Sequence, residues 1–385
     1  MNRFTIPRIT QVQIRNYKSI RNATVKELSG FTVLVGLNGS GKSNSVDALA
    51  FVQQCLAESV ELALRGRGGI GAVRHRSAGH IEIQLSLELD AHTWADYTFR
   101  VAAKPEEGFN IAKERCVVQG MMKEECVFEV RDGTFTIEIP GIRPKLSRGH
   151  LALYAASATD EFGPVYDFLT SMRFYSIVPN RLREPQEPDS GDSLKRDGSN
   201  AAAVLKRLMA EAGGREQYER LCRLISRVVE GIKKVEYHAM GQKETLQFKQ
   251  DVGRKSPWTF DAANMSDGTL RVLGILLAVY QPGRHSLVAI EEPEATVHPA
   301  ATELIVEVLM DAAHERQVLL TTHSPDILDH KDLKDNQIRV VTMERGCTVI
   351  APIAESSRRA IREHLYTPGE LLRSDELNPD VDAVE

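Results

Sequence analysis

Eight consecutive residues, Gly36-Leu37-Asn38-Gly39-Ser40-Gly41-Lys42-Ser43, fulfil the pattern GxxxxGKS, and Asn44 follows them. Glycines let a backbone curl around phosphates and turn its N–H groups inward, and the start of a following helix favours an anion electrostatically. A lysine in this position reaches terminal phosphates, and the hydroxyl beside it is suited to Mg2+. The expected nucleotide contacts are therefore Gly36, Asn38, Gly39, Ser40, Gly41, Lys42, Ser43 and Asn44, with Ser43 also on the metal. No NKxD-type guanine-reading segment follows, which makes ATP the expected nucleotide.

A second chemical feature is the adjacent pair Glu291-Glu292, directly after the apolar run Leu287-Val288-Ala289-Ile290. Successive side chains leave a strand in different directions, so one carboxylate can face a metal while the other reaches an attacking water. Glu291 is assigned to the metal and Glu292 to water activation. His323, in Thr321-Thr322-His323-Ser324-Pro325, follows a further apolar run and can contact a γ-phosphate or orient the water. Taken alone, such a histidine is more often a structural hydrogen-bonding residue. Ser266-Asp267-Gly268-Thr269, taken alone, reads as a helix N-cap.

These residues need elements to hold them. Phe31–Val35 is continuously apolar, as expected of a central strand, and apolar residues from Val46 to Leu64 recur at helical spacing, so strand, phosphate loop and one long helix are expected in succession. Ile9–Arg15 and Ile81–Leu89 alternate, and further short strands up to Ile139 predict an antiparallel meander with one face available to a partner. Residues 145–233 read as mainly helical, interrupted by the proline and charge cluster Arg183–Asp197, expected to be a mobile loop. The buried-strand signals at Leu287–Ile290 and Val318–Thr321 flank a helix over Ala300–Ala313, the alternation of an α/β sheet. The reading is an α/β P-loop NTPase with an N-terminal lobe (1–144) carrying the meander, a helical insertion (145–233), a C-terminal lobe (234–370) and a frayed acidic tail (371–385).

Composition narrows the alternatives. With 48 Lys plus Arg against 53 Asp plus Glu the formal charge is −5, so any nucleic-acid contact must come from a local strip rather than global basicity. Arg65, Arg67, Arg74, His75, Arg76 and the cations around the insertion, from Arg173 to Arg207, are the candidates for such a strip, though acidic neighbours in the insertion weigh against it. Five scattered cysteines without a CxxC pair suit a reducing cytoplasm, and no apolar run is long enough to cross a bilayer.

Together, GLNGSGKS, SDGT (Ser266 to Thr269), IEEPEATVHP (Ile290 to Pro299) and TTHSP (Thr321 to Pro325), in this order over nearly the whole chain, resemble the ATPase heads of the SMC, RecF and ABC superfamily. More narrowly, the chain is similar to compact ATPases related to the heads of overcoming-lysogenisation-defect proteins. The resemblance implies a head-to-head homodimer or higher homo-oligomer enclosing ATP and Mg2+, with Ser266 and Gly268 contacting the γ-phosphate held by the opposite subunit. It also implies Glu292 as general base and His323 as switch residue. Glu291 departs from the aspartate commonly found beside the metal, and no glutamine stands where the superfamily usually places one after the first helix.

No Toprim-like nuclease segment or HNH-like cysteine and histidine pattern is readable. The resemblance, without that nuclease, implies an ATP-hydrolysing sensor or regulator acting on nucleic acid or a separately encoded effector in antiphage defence. The alternative is an ATP-dependent scaffold that holds or releases a toxin or nuclease without binding DNA.

Overall fold

The computed structural model describes residues 6–76, 78–105, 108–121, 124–139, 141–142, 144–147, 149–211, 213–254 and 256–380. Strands β1 (Arg8–Tyr17), β2 (Ile20–Val25) and β3 (Phe31–Val35) open the chain. Helices α1 (Lys42–Ala57), α2 (Val60–Arg65) and α3 (Ile70–Val73) then lead to β4 (His80–Asp90), β5 (Thr93–Ala103), β6 (Phe109–Gly120), β7 (Cys126–Arg131) and β8 (Thr134–Ile137). Helices α4 (Ala152–Ala156) and α5 (Gly163–Thr170) precede strand β9 (Arg173–Tyr175), followed by α6 (Pro179–Arg183), α7 (Ala201–Ala210) and α8 (Gly214–Val228). After β10 (Ile232–Met240), β11 (Lys243–Gln250) and β12 (Trp258–Asp261) come α9 (Asp267–Tyr280), β13 (Leu287–Glu291), α10 (Pro299–Ala312) and β14 (Gln317–Thr322). The chain closes with α11 (Pro325–Leu328), β15 (Ile338–Glu344), β16 (Cys347–Pro352), α12 (Glu355–Arg362) and α13 (Pro368–Arg373).

Among the described residues the strands form three sheets. The central one has the order β16-β15-β3-β14-β13-β9, and β15, β3, β14, β13 and β9 run parallel, so their carboxyl ends share one edge. The sheet is buried on both faces, which is why its strands are continuously apolar. Val33 and Val35 face one core with α7 to α10, while Leu34 faces the other with α1 and the meander. The meander is a seven-stranded sheet, β2-β1-β4-β5-β6-β7-β8. Phe51 of α1 contacts Tyr17 of β1 at 5.6 Å and Phe99 of β5 at 6.2 Å between ring centroids, clamping the helix that starts at the phosphate loop onto this sheet.

Several local expectations are corrected. The expected single helix breaks after Ala57: Glu58 leaves helical geometry and Ser59 starts α2, its hydroxyl accepting from the Leu62 N–H at 3.1 Å. Residues 145–233, read as mainly helical, also supply β9, which pairs with β13 and forms an edge of the central sheet. The 183–197 segment has little regular structure but is tied down throughout rather than left loose. Gln186 accepts from the Ala202 N–H, Asp189 accepts from Gly191 N–H and Asn200, and Leu194 is buried. The expected frayed tail is packed as far as it is described: Leu371 and Leu377 are buried, and Ala354 N–H donates to Asn378 O. No helix among the described residues is long and apolar enough to cross a membrane.

Candidate active site

The carboxyl edge of the parallel strands gathers most of the residues singled out above. β3 ends at Gly36, whose N–H donates to Thr322 O on the neighbouring strand β14. A side chain at Gly36 would meet Val341 O at 2.1 Å, and one at Gly41, where φ is 105°, would meet the Thr348 hydroxyl at 2.0 Å. Both glycines are therefore required by close approach, and Gly41 by conformation as well. Thr348 in turn donates to Ser40 O at 3.0 Å and bonds Ser19, so β16 and the β1–β2 turn hold the loop from behind. Asn44 donates to the same Ser19 hydroxyl at 2.7 Å, which gives it a supporting position.

Lys42 is buried, and its ammonium donates to Gly36 O at 2.7 Å and Leu37 O at 3.1 Å, curling back across the loop. Burial pushes its pKa down, against the upward pull of Glu292 and Glu294. The hydroxyl of Ser40 is buried without a partner, whereas Asn38, Gly39 and Ser43 are exposed around the rim. The loop is thus a shaped cradle with its cation aimed inward and its outer face open.

Two strands away, Glu291 is the last residue of β13 and Glu292 leaves it with φ 44°, a left-handed conformation uncommon for a non-glycine residue. Its N–H is held by Thr321 O at 3.0 Å, which fixes the turn and throws the Glu292 side chain outward. His323 Nδ1 lies 3.5 Å from Glu292 Oε1 and 3.7 Å from Glu294 Oε1, beyond a strong direct hydrogen bond but close enough for all three groups to face the same space. Both Glu292 and His323 side chains are about two-fifths exposed, 38% and 43%, so water has access.

Two further residues join this cluster: Glu294, which the resemblance puts in a dimer-facing loop after the acidic motif, and Arg271, which no motif marks. Glu294 is almost buried, accepts from the Thr322 hydroxyl at 2.6 Å and the His323 N–H at 3.2 Å, and keeps its Oε2 without a partner. Arg271, one turn into α9, donates to Glu292 O at 3.3 Å, and its pKa is lowered by burial against the opposing pull of Glu294 and Glu292. The motif IEEPE displayed Glu294 plainly; its role depends on β14 lying alongside β13, which no local spacing reveals.

Ser266 caps α9, its hydroxyl accepting from the Thr269 N–H at 3.3 Å. Gly268 packs on the loop that follows β13: a Cβ there would stand 2.8 Å from Thr296 O, and Thr296 itself has φ 65°. Ser266 and Asp267 are exposed, and Asp267 pairs with Arg183. The SDGT segment thus sits on the surface, mechanically joined to the turn that carries Glu292 and Glu294.

Ser43 and Glu291 offer a hydroxyl and a carboxylate, hard oxygen donors of the kind Mg2+ prefers. Among the described residues no group of three or more His, Cys, Asp or Glu is arranged to hold a metal ion, so a Mg2+ ion held by these two residues would need most of its ligands from elsewhere. Glu291 Oε1 is met by Arg196 Nη2 at 2.6 Å.

Most of the proposed basic strip is already engaged. Arg67 is locked onto Asp47 with contacts of 3.0–3.1 Å, and burial, outweighed by hydrogen bonds from Arg67, Lys18 and Tyr17, leaves the Asp47 carboxyl at about 2. His75 is buried and bonds Lys18 O, Lys195 pairs with Asp189, and Arg207 pairs with Asp192 and Glu211. Arg173 spends its donors on Ser193 and two backbone carbonyls.

The family model described as "AAA domain, putative AbiEii toxin, Type IV TA system" matches residues 31–84 and 171–329. A 44-residue stretch is 46% identical to the chromosome partition protein Smc of Methanococcus voltae, covering 11% of this chain and 4% of that protein. Another match, 32% identical over 104 residues, is to the phospholipid-transporting ATPase ABCA7 of Homo sapiens, covering 27% of this chain and 5% of that protein. These relatives are therefore far longer than the stretches they share with this chain. Among solved structures, the Smc head domain with an extended coiled coil bound to the C-terminal domain of ScpA, from Pyrococcus furiosus, covers 94% of this chain and 100% of that one at 14% identity and TM-score 0.54. An Smc head bound to the C-terminal winged-helix domain of ScpA covers 91% and 99% at 13% identity and TM-score 0.51. At such identities the likeness concerns the fold, which is that of an Smc head domain.

Proposed function

The chain belongs to this AAA-domain family, with a head of the SMC and ABC ATPase type, and from that premise we propose that it binds and hydrolyses Mg2+–ATP to drive association of two heads. Gly36, Asn38, Gly39, Ser40, Gly41 and Asn44 build and support the phosphate cradle. Lys42 exchanges its bonds to Gly36 O and Leu37 O for phosphate oxygens, and Ser43 and Glu291 would hold the metal, whose charge would offset that of the phosphates when bound. Glu292 accepts a proton from the attacking water, which His323 orients. Ser266 and Gly268 of a second copy grip the γ-phosphate, so hydrolysis removes a contact between subunits and favours opening.

The observation that carries this reading is the turn at Glu292: a left-handed residue held by β14 sets an accessible carboxylate beside an accessible histidine at the same sheet edge as the phosphate loop. Replacing Glu292 by Gln keeps the shape and removes the base. ATP turnover by Glu292→Gln is expected to fall about 10²- to 10⁴-fold with nucleotide still bound; turnover within about threefold of wild type would remove Glu292 from that role.

The cycle is proposed to serve a cytoplasmic sensor that regulates a separate effector in antiphage defence, with nucleic acid as one input; the free cysteines suit a reducing compartment. The engagement of the insertion cations by carboxylates favours a second reading, an ATP-dependent scaffold for a toxin or nuclease. DNA-stimulated turnover that weakens as salt rises supports the first; turnover indifferent to DNA supports the second.

A further inference from the structure

Arg196 occupies a position the phosphate-loop chemistry does not explain. Its guanidinium reaches between α1 and β13, with Nη2 2.6 Å from Glu291 Oε1 and Nη1 3.9 Å from Asp47 Oδ1. Asp47 lies one helical turn beyond Ser43, so the guanidinium bridges the helix carrying the proposed metal hydroxyl and the strand carrying the proposed metal carboxylate. The two acids depend on it unequally. Asp47 is already bonded by Arg67, Lys18 and Tyr17, whereas the Glu291 side chain is only 10% exposed and has Arg196 as its ion-pair partner among the described residues. A buried carboxylate left without a counter-charge is costly.

The mount of this side chain is fixed. Ser176 N–H donates to Arg196 O at 2.9 Å, Val178 N–H donates to Asp197 O at 3.1 Å, and Lys195 N–H donates to Asn200 Oδ1 at 2.8 Å. The Arg196 side chain itself is 48% exposed. Its guanidinium can therefore swing into solvent without disturbing the backbone that carries it.

We propose that Arg196 is a stand-in for the divalent cation: it neutralises Glu291 in the metal-free protein and must let go before that carboxylate can face Mg2+. Resting on the assignment of Glu291 to the metal, this makes metal arrival, rather than nucleotide arrival alone, the event that opens this side of the site. Metal-free ATP then binds only weakly while Arg196 stays engaged, and nucleotide binding tightens as Mg2+ displaces the guanidinium from the carboxylate.

The competition is measured by binding a fluorescent, non-hydrolysable ATP analogue to the full chain while Mg2+ is raised from a chelated start. Arg196→Gln is expected to reach half-saturation at about three- to fivefold lower Mg2+ than wild type, and Arg196→Met, which keeps an apolar stem, to do the same should the Gln variant fold poorly. Arg196→Lys keeps the charge and stays within about twofold of wild type. A Gln or Met variant needing as much Mg2+ as wild type or more overturns the proposal. So does a Lys variant shifted as far as Gln, because charge would then not be what competes. Wild-type protein that binds the analogue at no Mg2+ concentration, with Lys42→Ala indistinguishable from it, would bring down the ATP reading itself.

Discussion

Two clusters of buried polar groups, one in the meander and one at the carboxyl edge of the central sheet, are finished differently. In the meander, Glu114 of β6 accepts from Ala152 N–H at 2.5 Å, Leu153 N–H at 2.8 Å and the Tyr97 hydroxyl at 3.0 Å, so both its oxygens are engaged by groups fixed in place. At the sheet edge, Glu294 Oε2, Ser40 Oγ and Arg271 Nε are buried and lack partners, and Glu292 and His323 stand partly in water. A closed cluster spends its valences on holding the meander to α4. On the proposed function, the open cluster keeps them for a phosphate or water that arrives.

That contrast breaks most visibly on the closed side. Glu114→Ala strands three donors in an apolar core and is expected to cost about 3 to 5 kcal/mol in urea unfolding. A cost below about 1 kcal/mol would show that the cluster is not closed. Wild-type protein also carries a pH signature from this residue. Burial pushes the Glu114 carboxyl up to about 7 from an ordinary 4.5, against the downward pull of its three donors. The folded chain therefore holds this proton more tightly than the unfolded chain. The resulting stabilisation is complete below about pH 4.5 and is lost as pH rises through about 7, an effect of about 3 kcal/mol. Comparing unfolding of wild type and Glu114→Gln from pH 5 to pH 8 isolates it, since only wild type should lose stability through this group; parallel curves would contradict the shift.

The open side should respond the other way. Glu294→Gln keeps the volume and an oxygen for the Thr322 hydroxyl, so its unfolding free energy should move by less than about 1 kcal/mol. Turnover should nevertheless drop at least about tenfold, because the carboxylate that positions the His323 backbone and faces Lys42 and Arg271 is gone. A variant that loses stability and keeps its turnover would place Glu294 with Glu114 among the structural acids.

What the sequence disclosed follows the same division between local and distant causes. The phosphate-loop motif is readable because Gly36, Gly41, Lys42 and Ser43 lie within eight consecutive residues, and the Glu292 candidate because it directly follows an apolar strand. Glu294 and Arg196 act through partners 28 and 95 residues away, contacts set by strand order and by the path of the 183–197 segment. β9 escaped notice since three residues cannot display a period, and the break at Glu58 because apolar spacing continues past it while the backbone does not. β2 shows no clear period either, because its buried residues Ile20 and Ala23 are three apart and only Ala23 and Val25 alternate.

The account turns on whether SDGT of one head closes over the triphosphate of another. Its direct test is the mass of Glu292→Gln in saturating Mg2+–ATP, compared with the double variant that also carries Ser266→Asp. Aspartate preserves the helix cap while setting a negative charge against the γ-phosphate. The expected result is a dimer for the single variant and a monomer that still binds ATP for the double; an equally stable ATP-dependent dimer in both would contradict it.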